Sequence, residues 1–276
     1  MKTVCCACSR RQSEEDVMSV SVIVMGAGGR MGTTITGMVR ADGECRLAGV
    51  VEREGRREGL EHLGCQVAGT LEELLPGMPD AVVIDFTAPE ASVHNARACA
   101  RHGSGLVIGT TGFTEEQKAE LADCALQTPV FWAPNMSVGV NVLLKILPQL
   151  VTLLGEQYDL EMVELHHNKK KDSPSGTALR LAECLAEARK WDLDTVANYH
   201  REGIIGERPH EEIGIQTIRG GDVVGVHTVY ALGPGERIEV THQAHSRETF
   251  AAGAIRAAKW LAQNRPGKLY TMSDML

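Results

Sequence analysis

In the first half of the chain, apolar residues come in short, unbroken runs. Val20–Met25, Leu47–Val51, Ala81–Phe86, Leu106–Ile108 and Val130–Trp132 each have strand length. Segments with apolar residues at helical spacing lie between them: Met31–Arg40, about Glu90–Arg101, and about Glu115–Ala125. This alternation predicts parallel βαβ units. The runs show no polar–apolar alternation, as expected of strands covered by helices on both faces. After Asn135 the texture changes. Val138–Leu154 predicts a long, very apolar helix, Leu160–His166 a strand, and Ser175–Trp191 a helix. Three β-rich runs follow, Ile213–Arg219, Val223–Leu232 and Arg237–Gln243, and then an amphipathic helix from about Arg247 to Gln263. Strands in succession without intervening helices predict a mixed or antiparallel sheet. The expected fold class is α/β. A parallel-sheet domain spans residues 18–137, with 245–276 returning to it. A second, α+β domain with a mixed sheet spans 138–244, and the boundary falls near Ser137. Residues 1–17 carry no periodicity, so a disordered extension is expected there, or Met18 as the natural start.

Composition narrows the classes. The chain has 276 residues, 43% hydrophobic and 23% charged, enough to bury a real core. A formal net charge of -8 argues against non-specific nucleic-acid binding. No apolar run reaches the roughly 18–20 residues of a membrane span. Eight scattered cysteines fit reduced cytoplasmic thiols. Cys5, Cys6 and Cys8 form the one cluster and lack a fourth ligand, so no metal site is expected. Residues 1–17 lack the apolar core of a signal peptide.

The first strand runs into Gly26-Ala27-Gly28-Gly29-Arg30-Met31-Gly32. Glycine lets backbone amides approach a pyrophosphate, and the helix N-terminus that follows adds partial positive charge. The spacing departs from strict G-x-G-x-x-G, since Met31 stands where the third glycine would be. The second strand ends at Glu52, about 20 residues on, where an acidic side chain would accept the ribose hydroxyls. Arg53 follows it. Together these predict a Rossmann-type dinucleotide-binding domain.

An anionic substrate of an acidic protein needs a local positive site. Glu164-Leu165-His166-His167-Asn168-Lys169-Lys170-Lys171-Asp172-Ser173-Pro174-Ser175-Gly176-Thr177-Ala178 supplies one. Ser173 suits an N-cap and Pro174 the first helical position. Ser175, Gly176 and Thr177 would then present free amides and two hydroxyls to a carboxylate or phosphate. Neighbouring strand residues face opposite ways, so one of His166 and His167 faces a given side of a cleft, and the pattern does not select which.

This segment resembles the E-x-H-H-x-x-K-x-D-[AS]-P-S-G-T-A signature of the 4-hydroxy-tetrahydrodipicolinate (dihydrodipicolinate) reductase family. Further similarity lies at Asp85-Phe86-Thr87, Gly109-Thr110-Thr111-Gly112, Asn135, Ser137–Asn141, Arg219-Gly220-Gly221-Asp222 and Ser246-Arg247, and it runs from about Ser19 to the C-terminus. The resemblance implies reduction of a cyclic, conjugated imine dicarboxylate by NADH or NADPH, in the diaminopimelate route to lysine. It implies cofactor contacts from Gly26, Ala27, Gly28, Gly29, Arg30, Met31, Glu52, Arg53, Gly109, Thr110, Thr111, Ala133, Pro134, Asn135 and Met136. His166 would be the proton donor and Lys170 its catalytic partner. His167, Ser175, Gly176 and Thr177 would contact substrate. It also implies a homotetramer assembled on the second domain's sheet. Two other readings compete: a different two-domain dehydrogenase of amino or imino acids, and a dinucleotide-binding sensor without catalysis. Neither needs the His-His-Lys-Pro-Ser-Gly-Thr constellation.

Overall fold

The computed structural model describes residues 19–276; the expectations for residues 1–17 and the Cys5–Cys8 cluster lie outside them. The order of elements is β1 (Val20–Met25), α1 (Arg30–Ala41), β2 (Cys45–Val51), β3 (Gln66–Ala68), β4 (Val82–Asp85), α2 (Pro89–His102), β5 (Gly105–Ile108), α3 (Glu115–Ala125), β6 (Val130–Trp132), α4 (Val138–Leu154), β7 (Asp159–His166), α5 (Gly176–Arg189), α6 (Leu193–Val196), β8 (Ala197–Asn198), β9 (Ile213–Arg219), β10 (Gly225–Gly233), β11 (Glu236–Ala244), α7 (Glu248–Leu261), β12 (Leu269–Tyr270) and α8 (Met272–Met275).

Seven strands form a parallel sheet in the order β12-β6-β5-β4-β1-β2-β3. Both faces are covered, and the β1 side chains show how. Val22 and Val24 join a core with Ile35 and Val39 of α1 and Ala254, Ala258 and Leu261 of α7. Ile23 and Met25, pointing the other way, join Val93, Ala96 and Cys99 of α2 and Leu121 of α3. That division is why the strand reads as an unbroken apolar run. The order reverses at β1, which lies between β2 and β4. A crevice therefore opens beyond the carboxyl ends of these strands, where open α/β sheets bind ligands.

The second sheet has the order β11-β10-β7-β9-β8 and is mixed. β10 runs antiparallel to β7 and β11, while β7, β9 and β8 run parallel. Leu143, Leu147 and Val151 of α4 and Leu181, Ala182 and Leu185 of α5 cover one face, against Leu160, Met162, Ile215 and Val229. The opposite face carries Val163, Leu165, Ile218 and Val226, half-buried or exposed.

The predicted helices and longer strands form within one to three residues of their expected bounds. β3, β8 and β12 were not expected, because two or three residues are too few to display a period. The N-cap falls at Ser175, two residues beyond the expected Ser173. α5 begins at Gly176 with Ser175 as its N-cap, whose hydroxyl accepts from the Ala178 amide at 3.1 Å. Ser173 and Pro174 stay in the preceding loop. No described helix is long and apolar enough to cross a membrane.

Candidate active site

The glycine turn leaves β1 at Gly26, whose φ of +63° lies in the left-handed region that glycine adopts without strain. A Cβ at Gly32 would run into the Gly26 carbonyl, so the turn folds tightly onto the start of α1 only with glycine there. The first amides of a helix have no intrahelical partner, which leaves those of Arg30 and Met31 to an incoming anion. The Glu52 carboxylate accepts from the Gly28 amide at 2.9 Å and the Arg53 amide at 3.0 Å. It is buried and fixed at the end of β2. A cavity of about 610 Å³ opens beside these groups, lined by Gly26, Gly29, Glu52, Arg53, Arg56 and Thr87 among others. A tight glycine cradle, orphan amides, a fixed carboxylate and a cavity of this size fit a dinucleotide. Asp85, fully buried at the end of β4, anchors the rim by accepting from the Thr87 backbone amide and hydroxyl (2.8 and 2.6 Å) and from the Asn95 side-chain Nδ2 (2.8 Å). Gly109–Thr111 follow β5 at the same edge of the sheet, with Thr110 buried and bonded to Ser92. Arg57 is tied to the Glu52 carbonyl at 3.0 Å, which leaves Arg53 and Arg56 as the cations lining the cavity.

Ala133–Met136 connect β6 to α4 and so link the two sheets. Asn135 spans the gap: its side-chain Nδ2 donates to the Thr177 hydroxyl at 2.9 Å, and its side-chain Oδ1 accepts from the Ser137 amide at 2.9 Å. A residue expected to touch cofactor thus holds one expected to touch substrate.

In the second sheet, register gathers the polar groups. Glu164 of β7 lies opposite Thr217 of β9 and His227 of β10, and His227 lies opposite His242 of β11. His166, two residues on, shares the Glu164 face and lies opposite Arg219. The Glu164 side chain is fully buried. It accepts from Arg219 twice (2.7 and 2.8 Å), from the Ser175 amide at 2.9 Å, and from Nδ1 of His166 at 2.6 Å. Burial pushes the Glu164 carboxyl up, but the bonds from Arg219, His166 and Ser175 outweigh it and hold it down to about 2. His166 keeps 11% of its side chain accessible. Burial pulls its imidazole below the ordinary histidine value, against the Glu164 carboxylate. Gly225 leaves room at His166 Nε2, since a Cβ there would lie 3.0 Å from that nitrogen. The His227 ring meets the His166 ring edge-on at 5.2 Å, and burial pulls its imidazole down to about 4.

The strand ends at His166, so His167 already belongs to the turn, half-buried, with Nδ1 accepting from the Lys169 amide at 3.2 Å. Lys170 closes this turn through its amide to the His167 carbonyl (3.1 Å) and pairs with Asp172 at 2.9 Å. One expectation fails at Ser175. Its amide is taken by Glu164, and its hydroxyl both caps α5 and meets His227 Nε2 at 3.0 Å. That leaves the amides of Gly176 and Thr177 at the helix N-terminus. Glu164, Arg219 and His227 were absent from the expected site residues. Glu164 carried a readable signal, two positions before His166 on the same strand face, whereas His227 carried none. Among the described residues no cluster of three or more histidine, cysteine or acidic side chains is arranged to hold a metal.

Two family models cover nearly all of the described chain: "Dihydrodipicolinate reductase, N-terminus" over residues 20–136 and "Dihydrodipicolinate reductase, C-terminus" over residues 139–276. A 4-hydroxy-tetrahydrodipicolinate reductase of Nitratidesulfovibrio vulgaris (strain DP4) is 70% identical over 258 residues, 94% of this chain and 100% of that protein. Its counterpart in Desulfovibrio desulfuricans is 62% identical over the same shares. Among solved structures, the dipicolinate-bound dihydrodipicolinate reductase from Paenisporosarcina sp. TG-14 matches with a TM-score of 0.75 at 24% identity, covering 94% of this chain and 100% of that one. An amine dehydrogenase from Mycobacterium smegmatis shares the fold more distantly, with a TM-score of 0.56 at 14% identity and coverage of 91% and 94%. The chain belongs to the dihydrodipicolinate reductase family, and its dinucleotide-binding domain makes it an NAD(P)H-dependent oxidoreductase.

Proposed function

We infer that the protein reduces 4-hydroxy-tetrahydrodipicolinate, by way of the dehydrated cyclic imine, to tetrahydrodipicolinate in the diaminopimelate route to lysine. One observation carries the assignment of the site. His166, held by Glu164, sits in the segment leading to the free amides of Gly176 and Thr177, and Thr177 is bonded to Asn135 at the mouth of the dinucleotide domain. Residues 18–137 with 245–276 form the cofactor domain in this reading, and 138–244 the substrate and assembly domain. α7 supports this division by packing on α1, β4 and β5 of the first sheet.

A nicotinamide cofactor held by the glycine turn and Glu52 would supply the hydride taken up by the ring carbon that ends the conjugated imine. Electrons then move toward nitrogen and leave an enamine, whose carbon takes a proton from His166 Nε2. A histidine fits the role because its proton affinity lies near neutrality. Lys170 pairs with one substrate carboxylate, and the Gly176 and Thr177 amides bind the other, with His167 beside them. Both cofactors serve, with Glu52 taking the ribose diol of NADH and Arg53 and Arg56 the 2′-phosphate of NADPH. The enzyme works in the cytoplasm as a homotetramer joined through the helix-free face of the second sheet.

The test is direct. Purified protein is mixed with NADPH and freshly made substrate, and nicotinamide absorbance is followed. Turnover is expected; none would leave a sensor or a different dehydrogenase. His166→Gln should lower kcat by about 10²–10⁴-fold with a smaller effect on KM, the usual contribution of a positioned general acid. His167→Gln should be the milder change in kcat. The reverse result would move the donor role to His167.

A further inference from the structure

We propose that Glu164 is the positioning residue of the proton donor and that Arg219 sets its strength: the carboxylate fixes which imidazole nitrogen meets the substrate, and the guanidinium limits how tightly the ring holds its proton. The proposal rests on His166 being the donor.

The geometry begins with Nδ1. It faces a carboxylate oxygen 2.6 Å away, and an ionised carboxylate only accepts. Nδ1 must therefore carry a hydrogen in either protonation state of the ring. The transferable proton belongs to Nε2, the nitrogen that Gly225 leaves uncrowded. A second contact alters how strongly this carboxylate acts. Glu164 Oε2 accepts from Arg219 Nη1 at 2.8 Å as well as from the histidine, while Oε1 accepts from Arg219 Nη2 at 2.7 Å and from the Ser175 amide at 2.9 Å. An unshared buried carboxylate would hold an imidazolium so firmly that it became a weak acid. A bidentate guanidinium draws off part of that charge and keeps the donor near its working range.

The other groups around the ring leave this balance to the two residues. Lys170, in the turn after β7, adds positive charge and is itself paired with Asp172. His227 of β10 is neutral near pH 7, because burial pulls it down to about 4, and His242 of β11 lies beyond it. The start of α5 brings the uncharged Ser175, Gly176 and Thr177.

The two substitutions move the ring in opposite directions, which a merely structural role would not do. A general acid works in its protonated form, so kcat/KM falls as pH rises through the His166 value. Glu164→Gln removes the negative charge, and that falling limb should move down by roughly one pH unit. Arg219→Gln leaves Glu164 unshared, and the limb should move up by roughly the same amount. Glu164→Asp keeps the charge but retracts it, so kcat should drop with the limb little moved. The experiment records kcat/KM against pH for the full-length enzyme, these variants and His166→Gln, with circular dichroism on each. Opposite shifts support the proposal. Unmoved limbs in both Glu164→Gln and Arg219→Gln, alongside a collapsed His166→Gln, overturn it and leave the donor assignment standing. Near-normal turnover in His166→Gln instead overturns the donor assignment itself. If Glu164→Gln does not fold, Arg219→Gln decides alone, since it leaves the Glu164–His166 and Glu164–Ser175 bonds in place. An upward shift then supports the proposal, and an unmoved or lowered limb rejects it.

Discussion

Glu52 and Arg53 are adjacent in sequence and opposite in what they offer a cofactor. Glu52 is buried and already satisfied by two backbone amides, so its oxygens are fixed where a ribose diol would meet them. Arg53 is exposed at the cavity's edge, and Arg56 stands beside it. A 2′-phosphate would meet the two guanidiniums while approaching the Glu52 charge. The balance predicts KM values for NADH and NADPH within about tenfold of each other, about 1.4 kcal/mol. Arg53→Ala should raise the KM for NADPH by about that factor and leave NADH nearly untouched. Steady-state kinetics with both cofactors checks this, and equal losses would remove Arg53 from phosphate recognition. Arg57, four residues beyond Arg53, is drawn away by the Glu52 carbonyl. No local pattern announces such a bond, because its two ends meet only after the loop has closed.

At the scale of elements, the start of α5 carries most of the site. Ser175 does three things at once: its hydroxyl caps the helix and meets His227, and its amide binds Glu164. Ser175→Ala removes the cap and leaves a buried histidine nitrogen without a partner. It should cost about 1–3 kcal/mol of stability and raise the substrate KM. Urea unfolding at pH 7 with parallel kinetics measures both; an unchanged midpoint would show that the cap is dispensable. The same helix marks how far the sequence could be read. Its apolar spacing was plain from Ala178 onward, as were the double-sided strands Val20–Met25 and Val130–Trp132. Its cap is Ser175 and not the expected Ser173, because Glu164, eleven residues upstream on another element, binds the Ser175 amide. His166 and Lys170 are singled out by the family signature. Glu164, in the same signature, went unassigned because its role appears only when β9 brings Arg219 alongside.

Among the described residues, α4 and α5 cover one face of the second sheet, and on the other only the loop bearing Arg201 and Arg208 reaches in, to Glu161. Ile218 is 49% exposed there, with Val163, Leu165 and Val226 around it on the same side. A sheet face of this kind favours burial against another sheet. Light scattering at micromolar concentration should give four times the chain mass, and Ile218→Arg should shift it toward smaller species. A wild-type monomer would remove this face from assembly.

The path of the chain has a consequence for how the molecule is made. The first sheet is built from β1 to β6, yet its outer strand β12 and the helix α7 that seals one face come from residues 248–270. A ribosome that has just added residue 137 has delivered six of the seven strands but not their lid. Val82, Ile84, Val107 and Phe131 still lack Ala254, Ala258 and Leu261. The nascent N-terminal half must wait through the synthesis of the entire second sheet, with a greasy face open to chaperones, before its own last helix emerges. Its completion is post-translational in timing although it is first in sequence, and truncation within the final thirty or so residues damages the earliest-made part of the protein rather than the latest.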